Sequence, residues 1–370
     1  MVKVGINGFG RIGRIAFRIA TLTHTDELSI AAINTSGSMD IVGWAHLVNN
    51  DTMYRKFELK VVAEEVKDPK EATLEDPLIG YLNIPEKNIK IPVLAQKEPD
   101  KIPWGKYGVD VVIEATGKFI TAEDAAKHAA GGAKRVIISA PSKGGNVGTY
   151  VIGVNEVDSA AQVISNASCT TNCIAPVAAV MHSKFGIEKA MMTTIHSYTD
   201  DQNLQDNSHK DLRRSRAAAE NIIPTSTGAA VATTETIPEL KGLFDGMALR
   251  VPTATGSITD FTMLLKTPVT VEQVNEAFVT AAQNPIYKGI LGVSTEPLVS
   301  SDIIGTSESA IVDLGLTQVV DGNMVKIFAW YDNEWGYANR LVEQVIRVGR
   351  TLHTETVPTD PLTLSFKAQQ

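Results

Sequence analysis

The sequence predicts an α/β domain with a parallel sheet, followed by an α+β domain with a mainly antiparallel sheet. Three observations carry this. Near-continuous apolar strands alternate with helical patterns up to about residue 165, as in a parallel sheet covered on both faces. Beyond residue 168 the apolar stretches become longer and Thr-rich. A chain of 370 residues also favours two cores over one.

In chain order, Val2 to Ile6 reads as a buried strand, then comes a Gly-rich turn and a helix to about Ala20. Leu28 to Asn34 is the second strand, and less alternation follows through about Lys90. A strongly apolar strand starts at Val109 and ends at a Thr-Gly turn; TAEDAAKHAAGGAK supplies a helix and its Gly stop, and Arg135 opens another buried strand. A helix is expected over Cys169–Phe185, where Ile174, Val177, Met181 and Phe185 fall at helical spacing. AMMTTIHSY, MALRVP, SITDFTMLL, SAIVDL and MVKIFAWY read as antiparallel strands, with helices at VEQVNEAFVTAAQ and NRLVEQVIRVGRTLH. The expected division is 1–167, 168–335, a helix over 336–352 folding back on the first domain, and a partly ordered tail over 353–370.

A net charge of −8 gives no general attraction to nucleic acid or to an anionic membrane. The chain shows neither a signal-peptide pattern nor a run of about 18 apolar residues, so a cytoplasmic protein without a membrane span is expected. Its two cysteines, Cys169 and Cys173, make no disulfide scaffold. Their spacing is also a poor metal signal, so no metal is expected.

Gly8, Gly10 and Gly13 form G-x-G-x-x-G between a predicted strand and a predicted helix, the context of a Rossmann-type dinucleotide site. Gly8 makes the tight turn, Gly10 lets the backbone approach a pyrophosphate, and Gly13 allows close helix–strand packing. Arg11 either adds charge to that contact or makes a surface salt bridge. The second strand ends Asn34-Thr35-Ser36-Gly37-Ser38, with no acid before Asp40 to hold a ribose 2′-hydroxyl. That end is physically open to NADP; alternatively Asn34 and Thr35 bind the ribose of NAD without a carboxylate.

Cys169, at the predicted start of a helix, is placed where unpaired N–H groups stabilise a thiolate. Cys173, one turn deeper, reads as packed. Among seven histidines, His196 is the best candidate base, because it ends an apolar strand and opens a polar segment. Arg213, Arg214 and Arg216 close that segment as either an anion site or helix surface charge.

INGFGRIGR at 6–14, EATGKF at 114–119, SNASCTTNC at 165–173, HSYT at 196–199, DLRRSRAAAENIIPTSTGAA at 211–230, LRVP at 249–252 and WYDNEWGY at 330–337 together resemble the phosphorylating glyceraldehyde-3-phosphate dehydrogenases, over nearly the whole chain. The resemblance implies Cys169 as nucleophile and His196 as its base. It implies Ser168, Thr170, Thr227 and Gly228 around inorganic phosphate, Thr199 and Arg250 on the substrate's phosphate, and Arg214 in the same anion region. Arg11, Ile12, Thr116, Ser139 and Asn333 match cofactor contacts, Asn333 toward the nicotinamide carboxamide. A homotetramer is implied, with a loop from about Ser197 to Asn221 reaching a neighbour's cofactor site.

The chain departs from that family's pattern at several points. Thr35 replaces the usual Asp, and Asn207-Ser208 replaces a Leu-Pro pair, which places Ser208 near a 2′-phosphate in the resembling NADP-using members. The C-terminal extension has no cysteine, and an acidic insertion lies around 64–76. The expected cofactor is NADP or NAD, with NADP used at least as well. Two rivals are an erythrose-4-phosphate dehydrogenase, disfavoured by HSYT, and an interaction protein that has kept the fold.

Overall fold

The computed structural model describes residues 1–352; the tail expected over 353–370 lies outside the described residues. Two sheets organise the chain.

The first sheet has nine strands and centres on Val2–Asn7, which pairs in parallel with Leu28–Thr35 on one side and Val111–Glu114 on the other. The strand order therefore reverses at Val2–Asn7. Ligands bind outside the carboxyl ends of strands at such a switch point. The Gly turn occupies that position, between Val2–Asn7 and the helix Arg11–Thr23.

Each glycine of the turn has a distinct reason. Gly8 has φ +93°, and a Cβ on it would sit 2.7 Å from the Ala115 carbonyl carbon and the Thr116 nitrogen. A Cβ on Gly13 would lie 2.1 Å from the Gly8 carbonyl oxygen, whereas one on Gly10 would meet nothing within 4 Å. Gly8 and Gly13 thus build the turn, and Gly10 keeps its outer side open.

Residues 35–90, whose sequence shows little alternation, nevertheless contribute strands to this sheet. Val62–Glu65 and Leu78–Ile84 extend the sheet, both in antiparallel pairings, beyond the parallel strand Ile89–Ala95. The acidic segment is therefore a sheet edge. Glu64 pairs with Lys90 at 2.7 Å, Lys67 pairs with Asp76, and Asp68 caps Pro69–Glu71. Charge along an edge strand discourages pairing with another chain.

The second sheet has eight strands and is mainly antiparallel, but Ile187–Ser197 runs parallel to Phe244–Val251, and Leu291–Ser294 parallel to Ala310–Asp313. The helix Cys169–Phe185 packs Cys173, Ile174, Val177 and Met181 into the core of this sheet. The helix Trp335–Thr351, the last among the described residues, instead puts Leu341, Val342, Val345 and Val348 into the core of the first.

The glycine geometry predicts a split. Gly13→Ala must displace backbone and should cost about 1–3 kcal/mol of stability, as overpacking does. Gly10→Ala should leave the thermal midpoint nearly unchanged while weakening dinucleotide binding. Calorimetry and dinucleotide titration on both variants check this; equal midpoints would refute it.

Candidate active site

Cys169 and His196 are 27 residues apart and arrive from different elements. Ser168 caps the cysteine helix: its Oγ accepts the Thr171 N–H at 3.0 Å, and its carbonyl accepts that of Asn172 at 2.9 Å. The Cys169 and Thr170 N–H groups lie nearest the sulfur and favour its thiolate. The entry to the helix is strained, since Ala167 has φ +57° without being glycine. Tyr337 Oη donates to the Ala167 carbonyl at 3.2 Å, and Ser165 Oγ accepts the Ala167 N–H at 3.0 Å, which hold that conformation.

His196 ends the long strand Ile187–Ser197 and is buried. Its Nε2 lies 3.3 Å from Cys169 Sγ, while Nδ1 is 2.6 Å from the Ser197 carbonyl and 2.8 Å from Arg250 Nη1. Two lone pairs at 2.6 Å would repel, so Nδ1 carries the proton and donates to Ser197. Arg250 Nη1 has acceptors of its own in Ser197 O and Thr199 Oγ1, both at 3.0 Å. This tautomer leaves a bare Nε2 lone pair facing the sulfur, as a proton acceptor requires.

Burial sets the resting charges. It lowers the His196 pKa to about 3, with the Arg250 charge acting in the same direction. Burial also pushes the Cys169 thiol up, opposed by Arg250, the Thr170 hydroxyl and the two helix amides. Cys173 is fully buried, touches the Ala329 carbonyl at 3.9 Å and is pushed up by burial, so it stays a protonated thiol.

The expected anion-binding residues fall into two groups. Thr199 donates to Asp201 and accepts from Arg250; Arg214 donates to Asp201 and, at 3.0 Å, to Thr225. Thr199 and Arg214 thereby converge on one carboxylate, Asp201, and Arg250 reaches it only through Thr199. In the second group, Thr170 Oγ1 is 3.0 Å from Tyr331 Oη, which is also 2.7 Å from Thr194 Oγ1. Thr227 and Gly228 open the helix Ala229–Thr236, where the Thr227 hydroxyl accepts the Ala229 N–H. Tyr331 escaped the sequence reading because an aromatic ending an apolar strand looks like core.

At the nucleotide turn, the helix Arg11–Thr23 has no side-chain cap, so its first N–H groups, including that of Ile12, lack intrahelical acceptors. Those amides and the open side of Gly10 fit a pyrophosphate. The Arg11 guanidinium is engaged by Asp51 and Glu334, which leaves its amide for a ligand. Below the turn lies a buried polar network. Glu114 accepts from Asn7 Nδ2 at 2.6 Å, from His128 Nε2 at 2.9 Å and from the Thr116 N–H at 2.8 Å. Trp104 Nε1 donates to His128 Nδ1 at 3.0 Å, which fixes the ring's other proton on Nε2. Asn34 donates to Asn7 Oδ1 and to the Gln96 carbonyl, each at 2.8 Å, and thus ties neighbouring strand ends together. The Thr35 hydroxyl donates to the Leu94 carbonyl at 3.1 Å; Ser36 is exposed beside it, and Ser139 follows the strand Arg135–Ile138. Asn333 Oδ1 accepts the Gly256 N–H at 3.1 Å and Ser257 Oγ at 2.9 Å, which orients its amide. Ser208 is exposed on the polar loop.

The comparisons with known proteins give the family. Residues 2–122 match the family model "Glyceraldehyde 3-phosphate dehydrogenase, NAD binding domain", and residues 168–333 match the C-terminal domain of the same family. The chain is 50% identical to glyceraldehyde-3-phosphate dehydrogenase of Streptomyces coelicolor over 95% of its length and 99% of the relative's. It is 47% identical to glyceraldehyde-3-phosphate dehydrogenase 2 of Bacillus subtilis, over 96% and 99%. The chain belongs to the glyceraldehyde-3-phosphate dehydrogenase family. As a glyceraldehyde-3-phosphate dehydrogenase family member it is an NAD(P)-dependent phosphorylating dehydrogenase with a catalytic cysteine. Among the described residues no helix is long and apolar enough to cross a membrane, and no cluster of His, Cys, Asp and Glu forms a metal site.

The buried imidazole makes stability depend on pH. The folded state resists protonation until pH falls to about 3, whereas an unperturbed histidine titrates near 6.5. The contribution is complete above pH 6.5 and is lost progressively as pH falls toward 3. Urea midpoints at pH 7 and pH 5 should therefore differ less in His196→Gln than in the wild type.

Proposed function

We propose that the chain oxidises D-glyceraldehyde 3-phosphate reversibly, with inorganic phosphate and NAD(P)+, to 1,3-bisphosphoglycerate. Cys169 is the nucleophile and His196 its base. The observation that carries this is His196 Nε2 at 3.3 Å from Cys169 Sγ, with Nδ1 turned away toward the Ser197 carbonyl at 2.6 Å. In this reading residues 1–167 form the nucleotide domain, 168–335 the catalytic domain and 336–352 a helix returning to the first.

The Cys169 sulfur bonds to the aldehyde carbon while its thiol proton passes by way of His196 Nε2 to the carbonyl oxygen, giving a thiohemiacetal and leaving the imidazole neutral. His196 Nε2 takes the hydroxyl proton while the carbon loses hydride, leaving a thioester. A dinucleotide would supply the hydride acceptor; the Gly10, Arg11 and Ile12 amides would hold its pyrophosphate, Asn34, Thr35, Ser36, Thr116 and Ser139 its adenosine side, and Asn333 its carboxamide. Phosphate held by Ser168, Thr170, Thr227 and Gly228 attacks the thioester carbon and expels the sulfur. The Cys169 and Thr170 amides stabilise the charge on oxygen. Thr199, Arg250 and Arg214 hold the substrate's own phosphate, and a ligand there competes with Asp201.

NADP is used at least as well as NAD. Thr35 places no carboxylate at the strand end, its uncharged hydroxyl donates within the sheet to the Leu94 carbonyl, and Ser36 beside it is exposed. A homotetramer fits the exposed apolar side chains of the polar loop and the second sheet, Leu204 at 80%, Leu212 at 81% and Met191 at 61%. In that assembly Ser208 serves a neighbour's cofactor.

Two measurements test the reading. Cys169→Ser should abolish phosphorylating turnover and keep dinucleotide binding, while Cys173→Ser stays active; the reverse pattern would refute the assignment. In steady-state kinetics, Thr35→Asp should lower kcat/KM for NADP about tenfold or more relative to NAD, and Ser208→Pro should lower it less. A wild type strongly selective for NAD, with both variants neutral toward NADP, would sink the cofactor preference.

A further inference from the structure

Arg11 stands in the nucleotide turn, but its guanidinium reaches across the molecule. Nε and Nη2 fork onto Glu334 at 2.8 and 2.5 Å, and Nη1 and Nη2 fork onto Asp51 at 2.5 and 3.3 Å. Asp51 is fixed in turn, since its Oδ1 accepts the Met53 and Tyr54 N–H groups at 2.9 and 3.0 Å. Glu334 Oε2 also accepts the Thr255 hydroxyl at 3.2 Å. Burial works against the Arg11 charge, but Glu334 and Asp51 outweigh it and raise its pKa.

Glu334 directly follows Asn333, whose amide is already locked by Gly256 and Ser257. On the other side, Asp332 accepts Tyr54 Oη at 2.8 Å and the Gly305, Glu334 and Trp335 N–H groups. Three consecutive residues are therefore pinned. Asp332 and Glu334 are held by Tyr54 and Arg11 from the first sheet's side, and Asn333 lies between them.

Building on the cofactor reading above, we propose that Arg11 is a positioning residue that makes the two ends of the dinucleotide bind as one unit. Through Glu334 it fixes the distance between the pyrophosphate turn and the Asn333 amide, so a ligand seated at one end finds the other preformed. Two subsites held rigidly at the correct span act at high effective concentration, and slack between them forfeits that gain. The device needs a guanidinium, because a lysine ammonium cannot pair with each of two carboxylates through two N–H bonds at fixed geometry.

The experiment compares dissociation constants for NAD and for ADP-ribose, which lacks the nicotinamide end. Wild type, Arg11→Lys, Asn333→Ala and the double variant are titrated, with Glu334→Gln as a milder break of the same link. Thermal midpoints confirm that each is folded. The ratio of the two constants reports the nicotinamide end. Arg11→Lys and Asn333→Ala should each shrink it by about tenfold, and the double variant no further, as for coupled positions. ADP-ribose affinity of Arg11→Lys should change far less, and Glu334→Gln should give an intermediate ratio. Equal weakening of both ligands by Arg11→Lys, or losses that multiply in the double variant, would overturn the coupling alone. A wild type that binds ADP-ribose and NAD equally would overturn it together with the cofactor reading.

Discussion

Everything in the active site depends on holding a sulfur and an imidazole nitrogen 3.3 Å apart when the two belong to different layers. The sulfur rides on a helix whose deeper residues, Cys173 and Val177 among them, are locked into the core of the second sheet. The imidazole ends the strand Ile187–Ser197 of that sheet. Tyr331, from a third element, bonds Thr170 on the helix and Thr194 on the strand, pinning the two together one residue from Cys169 and two from His196. A shift of the helix on the sheet would change the reactive distance directly. The packing is therefore part of the chemistry.

The Arg11 bridge does for the cofactor what Tyr331 does for the reactive pair. In both places one side chain with two engaged partners joins elements that the chain brings together from far apart. Both depend on burial. The Asp51 side chain is only 6% exposed and that of Glu334 13%, so solvent screens their attraction to Arg11 less than it would at a free surface.

What the sequence made legible were features whose physics is local. Three glycines, a helix starting at Cys169 and strand-like apolar runs each reveal themselves within a few residues. The edge strand Val62–Glu65 and its neighbour Leu78–Ile84 were not legible, because charge interrupts the first and the second follows an irregular acidic stretch. Partnerships over long separations were also hidden. Arg11 and Glu334 lie 323 positions apart, and Glu114 meets Asn7 across 107. The sequence left Arg11 open between a phosphate contact and a salt bridge, and only the folded chain shows where its guanidinium goes. Asp201 was missed for a similar reason: a carboxylate in a polar loop carries no signal until Thr199 and Arg214 are seen to converge on it.

The last helix has a consequence for synthesis. Its apolar face completes the core around the chain's first strand, to the point that a Cβ on Gly349 would lie 2.2 Å from Val2 Cγ1. Translation proceeds N-terminus first at about 5–20 residues per second, so the nascent first sheet waits on the order of 10–40 s for its cover. Throughout that interval an apolar surface stands open on the ribosome, and a chain stalled before residue 335 would leave it open for a chaperone or for aggregation.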